Sequence, residues 1–218
     1  MAKLSKPYTI VVVGPPGSGK GTQANRLAEQ LGWPHVDVGD LLREASRGQS
    51  EAAQTIRSTM QRGRMLSQSV VRPVVEAAIF ELKQGLILDG YARQVEQVEI
   101  LKDWANKGQI PPLWGLQLDV PAAEIIERIK QRRYCTECRH KDYLVTDTAE
   151  AVSCVRCGGH LVKRQDDATQ TVTRRLDTYE EETKPAITLL KKIAPVTVID
   201  GRGSIDEVAA RIEQAITD

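Results

Sequence analysis

Apolar residues recur along the chain in short blocks separated by longer stretches of helical spacing. Five blocks read as strands: Tyr8–Val13, His35–Val38, Leu86–Asp89, Trp114–Val120 and Val196–Asp200. Strands that alternate with helices predict a parallel sheet covered on both faces, a three-layer α/β/α fold with a five-stranded sheet. The last helix is the clearest. Ser204 and Glu207 stand at capping-box spacing, and Ile205, Val208, Ala209, Ile212 and Ile216 then fall on one helical face. That face is expected to pack on the sheet.

Two segments break the alternation. About three helical stretches, punctuated by Gly48, Gly63 and Gly85, separate the second strand from the third. One crossover needs fewer. Between Pro121 and Pro185 lies a cysteine-bearing stretch, roughly Tyr134 to Val162, without apolar periodicity. The expected organisation is one domain over residues 1–218 carrying two insertions, at 38–67 and 129–166. The second insertion must be held by something other than a hydrophobic core.

Composition narrows the class. A chain of 218 residues can bury one sizeable core. Its formal net charge of +1 gives no overall field that would draw it to nucleic acid or membrane. The apolar run Ile10–Val13 is too short for a signal-peptide core or a membrane span. A soluble cytoplasmic protein is expected, and four cysteines in such a chain point to metal or redox chemistry before structural disulfides.

The first strand runs into Gly14-Pro15-Pro16-Gly17-Ser18-Gly19-Lys20-Gly21-Thr22, followed by the helical pattern Gln23–Leu31. Strand, glycine-rich loop and helix together form a phosphate cradle. Glycines let backbone N–H groups curl around phosphate oxygens, and the helix N-terminus adds its dipole. Lys20 can reach the β- and γ-phosphates as a point charge. The pattern departs from the general phosphate loop at Gly21, where Ser or Thr is usual; the hydroxyl follows at Thr22. The loop implies nucleoside triphosphate binding and does not by itself imply a kinase.

Further motifs extend the picture in order. The loop, with glycine and threonine after the lysine, resembles that of adenylate kinases. Gly39-Asp40-Leu41-Leu42-Arg43 resembles the start of that family's acceptor-binding insertion, and Asp89-Gly90-Tyr91-Ala92-Arg93 its Asp-Gly-Phe/Tyr-Pro-Arg signature. Gln97 stands at the spacing of its adenine-reading glutamine. Arg164-Gln165-Asp166-Asp167 and Arg174-Arg175-Leu176 resemble its lid-closing segment. The resemblance runs from Tyr8 to the final helix. It implies reversible phosphoryl transfer from MgATP to AMP, giving two ADP, with the first insertion binding the acceptor and the second closing as a lid.

By the same resemblance, Gly14, Gly17, Ser18, Gly19, Lys20, Gly21, Thr22, Arg128, Arg132 and Gly203 hold the donor. Val38, Gly39, Arg43, Leu66, Gly90, Arg93 and Gln97 hold the acceptor, Arg164 and Arg175 close over the transferring group, and Asp89 orients Mg2+ through water. Arginines suit this work because their planar forks grip phosphate bidentately. Taken singly, Arg128 and Arg132 would be solvent-facing helix residues, and Asp89-Gly90 an ordinary turn. Of the adjacent arginines Arg174 and Arg175, the second is chosen. Three positions depart from the family: Val38 stands where Thr or Ser is usual, Ala92 where Pro is usual, and Gln131 where Gly is frequent. The first two bear on the acceptor.

Cys135-Thr136-Glu137-Cys138 and Cys154-Val155-Arg156-Cys157 form two Cys-x-x-Cys pairs with fifteen residues between them, a spacing that points to Zn2+. Four thiolates close a tetrahedron and leave no open position, so the expected role is structural. Neither His140 nor His160 is needed as a ligand, and His35 is read as structural. The competing readings are a kinase for UMP, CMP or GMP, a nucleotide-dependent protein whose knuckle contacts nucleic acid, and a nucleotide-binding relative without turnover. The knuckle has Tyr134 and Tyr143 as its aromatic residues, a poor stacking platform. A monomer is expected.

Overall fold

The computed structural model describes residues 4, 6–82, 84–138, 141–144, 153–154, 156–162 and 169–217. The elements follow as β1 (Thr9–Val13), α1 (Lys20–Leu31), β2 (His35–Asp37), α2 (Val38–Ala45), α3 (Glu51–Gln61), α4 (Gln68–Ile79), β3 (Leu86–Asp89), α5 (Val95–Asn106), β4 (Leu113–Asp119) and α6 (Ala122–Gln131). Then come β5 (Arg132–Cys135), β6 (Lys141–Leu144), β7 (Leu161–Val162), α7 (Thr169–Thr178), a π-helical turn (Tyr179–Thr183), α8 (Lys184–Ile193), β8 (Val196–Asp200) and α9 (Ile205–Thr217).

All five expected strands form one sheet, in the order β2-β3-β1-β4-β8, with every neighbour parallel. Alternate residues of β1 point to opposite faces, so its apolar run serves both layers. Val11 and Val13 pack with Leu88, Val98, Leu101 and Leu190, beneath α5 and α8. Ile10 and Val12 pack with Ala24, Leu27, Leu118 and Ile212, beneath α1 and α9. Each such buried Val, Leu or Ile side chain contributes roughly 1.5–3 kcal/mol relative to an exposed one. The chain leaves β1 towards β2 and β3 on one side, then crosses to β4 and β8 on the other. In such open sheets ligands bind beyond the carboxyl ends of the strands, where the direction of winding reverses.

The capping box of α9 is formed: Ser204 N–H donates to Glu207 Oε2 at 2.7 Å and Glu207 N–H to Ser204 Oγ at 3.2 Å. Val208, Ala209, Ile212 and Ile216 are buried, whereas Ile205 is 37% exposed. Ile205 is the first residue of the helix and sits at the rim, ahead of the turn that meets the sheet. Helices α2, α3 and α4 fill the stretch between β2 and β3.

The cysteine-bearing stretch forms a second, antiparallel sheet, in the order β6-β5-β7. It springs from α6, whose Ile125 and Ile129 pack with Val120 and Val172 and so join α6 to α7. Among the described residues no helix is long and apolar enough to cross a membrane.

Candidate active site

The phosphate loop leaves β1 at its carboxyl end and turns where only glycine fits. At Gly14 (φ +145°) a Cβ would lie 2.6 Å from the Leu118 carbonyl oxygen, and at Gly17 (φ +82°) 2.7 Å from the Ile129 side chain. The loop is thus moulded against β4 and α6. Lys20 opens α1, and its Nζ donates to the carbonyls of Gly14 and Pro15 at 2.8 and 2.7 Å. Burial drives the Lys20 ammonium down from 10.5 to about 7; Arg93, Arg175 and Arg132 add to the fall, and Asp89 opposes it. Ser18 is 2% exposed, and its Oγ has no hydrogen-bond partner among the described residues.

Asp89 ends β3 beside Asp37, its register partner at the end of β2. Burial holds the Asp89 carboxyl above the usual carboxylate range, with Asp37 adding and Lys20 opposing. A Cβ at Gly21 would stand 3.3 Å from Asp89 Oδ2 and 4.0 Å from Asp37 Oδ2. The glycine that departs from the general loop pattern therefore makes room for this carboxylate pair.

The arginines are aimed by local bonds. Asp37 caps α2 by accepting the Asp40 N–H at 2.9 Å, and Arg43 in the next turn bonds the Asp40 carboxylate through Nε at 2.9 Å and through Nη2. Arg93 donates from Nε to the Gly90 carbonyl at 2.8 Å and from its backbone N–H to Gln97 Oε1 at 2.8 Å. The turn that carries it is pinned from below, since Tyr91 is fully buried and stacks on Trp104 at 5.5 Å, and Ala92 is buried in the same cluster. Arg128 is held by Glu124 at 2.5 Å and the Gly201 carbonyl at 2.8 Å.

These groups face one cleft of about 310 Å3, within the range of small-molecule sites. Gly14, Gly17, Ser18, Gly19, Lys20, Gly21, Thr22 and Gly203 line it, as do Gly39, Arg43, Asp89, Gly90, Arg93, Arg128, Arg132 and Arg175. Arg174 is exposed instead, with Nη1 on the Arg62 carbonyl at 2.9 Å. Three predicted residues lie off the wall. Val38 and Leu66 are 3% and 9% exposed in the core, and Gln97 is 3% exposed, with Oε1 taken by the N–H groups of Arg93 and Gln94. Arg164, with Gln165, Asp166 and Asp167, lies outside the described residues, as does His140. The wall also includes Asp37, Met60, Arg64, Met65, Tyr179 and Thr183, which sequence reasoning passed over. Asp37 had a signal: an acid at the end of a strand, level with Asp89. The others sit on helix ends and loops that only folding brings to the cleft.

The four cysteine Sγ atoms lie within 4.8 Å of one another, with Cys135 3.5 Å from Cys157 and Cys138 3.5 Å from Cys154. A disulfide would bring two sulfurs to about 2.05 Å. Four thiolates at a Zn–S distance of about 2.3 Å stand roughly 3.8 Å apart, so the cluster is compatible with zinc. His160 is exposed outside the cluster.

A lysine-bearing glycine loop at the carboxyl edge of a parallel sheet, faced by arginines from six separate elements, turns or loops, defines a P-loop phosphotransferase. Comparison with known proteins sharpens the class. A family model described as adenylate kinase matches residues 12–194. The chain is 36% identical over 203 residues to the adenylate kinase of Thermodesulfovibrio yellowstonii, covering 91% of this chain and 94% of that one. It is 36% identical over 211 residues to that of Streptomyces coelicolor, covering 95% and 97%, and 34% identical over 210 residues to that of Caldanaerobacter subterraneus, covering 95% of each. The chain belongs to the adenylate kinase family and is a nucleoside monophosphate kinase.

Proposed function

We propose that this protein transfers the γ-phosphoryl group of MgATP reversibly to AMP, giving two ADP. The observation that carries the reading is one cleft lined by Lys20 and the glycine loop together with Arg43, Arg93, Arg128, Arg132 and Arg175. Phosphoryl transfer needs in-line placement and preorganised positive charge more than a general base. The loop and Lys20 grip the donor phosphates. Arg43 and Arg93 grip the acceptor phosphate, and Arg128, Arg132, Arg164 and Arg175 neutralise charge on the transferring group.

Magnesium bound with ATP would supply positive charge that offsets the charge of the phosphates. The carboxylates of Asp89 and Asp37, side by side under the loop, are the hard oxygen donors that suit it. The four cysteines hold structural Zn2+ in the 129–166 insertion, which acts as a lid, while 38–67 acts as the acceptor-binding insertion. Closure excludes water that would otherwise hydrolyse ATP. Cysteines kept as metal-binding thiolates suit a reducing compartment, and we place the protein in the cytoplasm, as a monomer without a nucleic-acid partner.

A second reading, a kinase for CMP, UMP or GMP, draws on Val38 and Gln97, which both stand off the cleft wall. The arginine assignment is tested by Arg93→Ala. Turnover should fall about 10²–10³-fold while ATP binding stays largely intact; unchanged kinetics would remove Arg93 from the site.

A further inference from the structure

Gln94 follows Arg93 directly, and its side chain joins segments far apart in the chain. Gln68, the first residue of α4, donates from Nε2 to Gln94 Oε1 at 2.9 Å. Gln94 Nε2 donates in turn to Glu182 Oε2, in the π-helical turn, at 2.7 Å. These bonds span 26 and 88 residues of sequence. The backbone is fixed at the same place, because the N–H groups of Arg93 and Gln94 share Gln97 Oε1 at 2.8 and 3.3 Å.

Each joined segment contributes to the cleft wall. Gly63, Arg64 and Met65 lead into α4, Arg93 stands next to Gln94, and Tyr179 and Thr183 belong to the π-helical turn, shortly after Arg175. A π-helical turn widens the helix locally, and such turns concentrate at functional sites. The bond to a carboxylate is the stronger, charge-assisted kind, and it polarises the bond behind it. Both ends of the Gln94 amide are therefore committed in one direction, which leaves the Arg93 turn a single arrangement relative to α4 and the α7–α8 corner.

We propose that Gln94 is a positioning residue for Arg93. Through Glu182 it sets the acceptor-side arginine against the helix that carries Arg175, so that acceptor grip and donor-side charge are aligned together. The assignment rests on the reading of Arg93 as an acceptor-phosphate ligand. A plain helix-start role would show in stability alone; a positioning role shows in how the acceptor is used.

The test is a swap in the full-length protein, with ATP and AMP kinetics and thermal unfolding measured for each variant. Gln94→Glu sets a carboxylate against Glu182 and should raise KM for AMP about tenfold or more, with KM for ATP moving less than about twofold. Glu182→Gln keeps an acceptor oxygen and should be mild. The double variant Q94E/E182Q reverses the second bond, since the amide of the new residue at 182 can donate to the carboxylate at 94, which still accepts from Gln68. It should recover AMP kinetics to within about threefold of the original. A double variant no better than Gln94→Glu overturns the proposal. So do ATP and AMP constants that shift together, or a stability loss without a change in AMP kinetics. Arg93→Ala separates the two readings. If it leaves AMP kinetics untouched, the acceptor-phosphate assignment fails; if it disables AMP use while the Gln94 variants do not, only the Gln94 role fails.

Discussion

In the five-stranded sheet every residue of β1 is buried, and apolar clusters cover both faces. In the three-stranded sheet the four residues of β5 include one buried side chain, and it is Cys135. Cys154 is the other buried thiol of the cluster. The first sheet draws its stability from area removed from water. The second is too small and too polar to do so, and its sulfurs converge where a core would otherwise stand. One chain thus combines a self-sufficient scaffold with a small sheet that, on the function proposed above, is a lid held by zinc, and on that reading the two should respond to different insults.

Metal removal gives the largest contrast. The protein should carry about one zinc per chain, and structural zinc supplies folding free energy on the order of 10 kcal/mol to such knuckles. Chelation, or Cys154→Ser, should expose residues 132–162 to protease while the core keeps its own unfolding transition. Metal analysis and limited proteolysis check this, and metal-free purified protein with an intact lid would break the comparison. Leu88→Ala strikes the other sheet. It should lower global stability by about 2–5 kcal/mol in chemical denaturation and leave the zinc content unchanged.

Lys20 gives the smallest effect on stability and a signed one. Its folded value near 7 lies below the unfolded value of 10.5. Between those two values the unfolded chain binds the extra proton, so the contribution of Lys20 to folding stability rises with pH across that window. Denaturation at pH 7 and pH 9 should show this slope, and Lys20→Met should lose it. The same variant should cut turnover about 10²–10³-fold without dismantling the sheet.

The scaffold was legible because its strands are apolar runs, and the glycine loop because each glycine answers a steric demand. Elsewhere the one-dimensional pattern says less about where side chains stand. Val38 and Leu66 flank cleft residues in sequence, yet both turn into the core. Ile205 has the spacing of the α9 face but stands at the helix rim. Gln97 spends its carbonyl on the start of α5, a local backbone demand that family spacing does not reveal. Met60, Arg64, Met65, Tyr179 and Thr183 reach the cleft through tertiary packing, and no local period marks them. The small sheet carries no apolar alternation at all; cysteine spacing was its one sequence signal.

Initial rates of ATP consumption with AMP, CMP, UMP and GMP under one condition test phosphoryl transfer from MgATP to AMP most directly. AMP should be the preferred acceptor, with two ADP formed for each AMP consumed. Faster turnover with another monophosphate, or none with AMP, would contradict it.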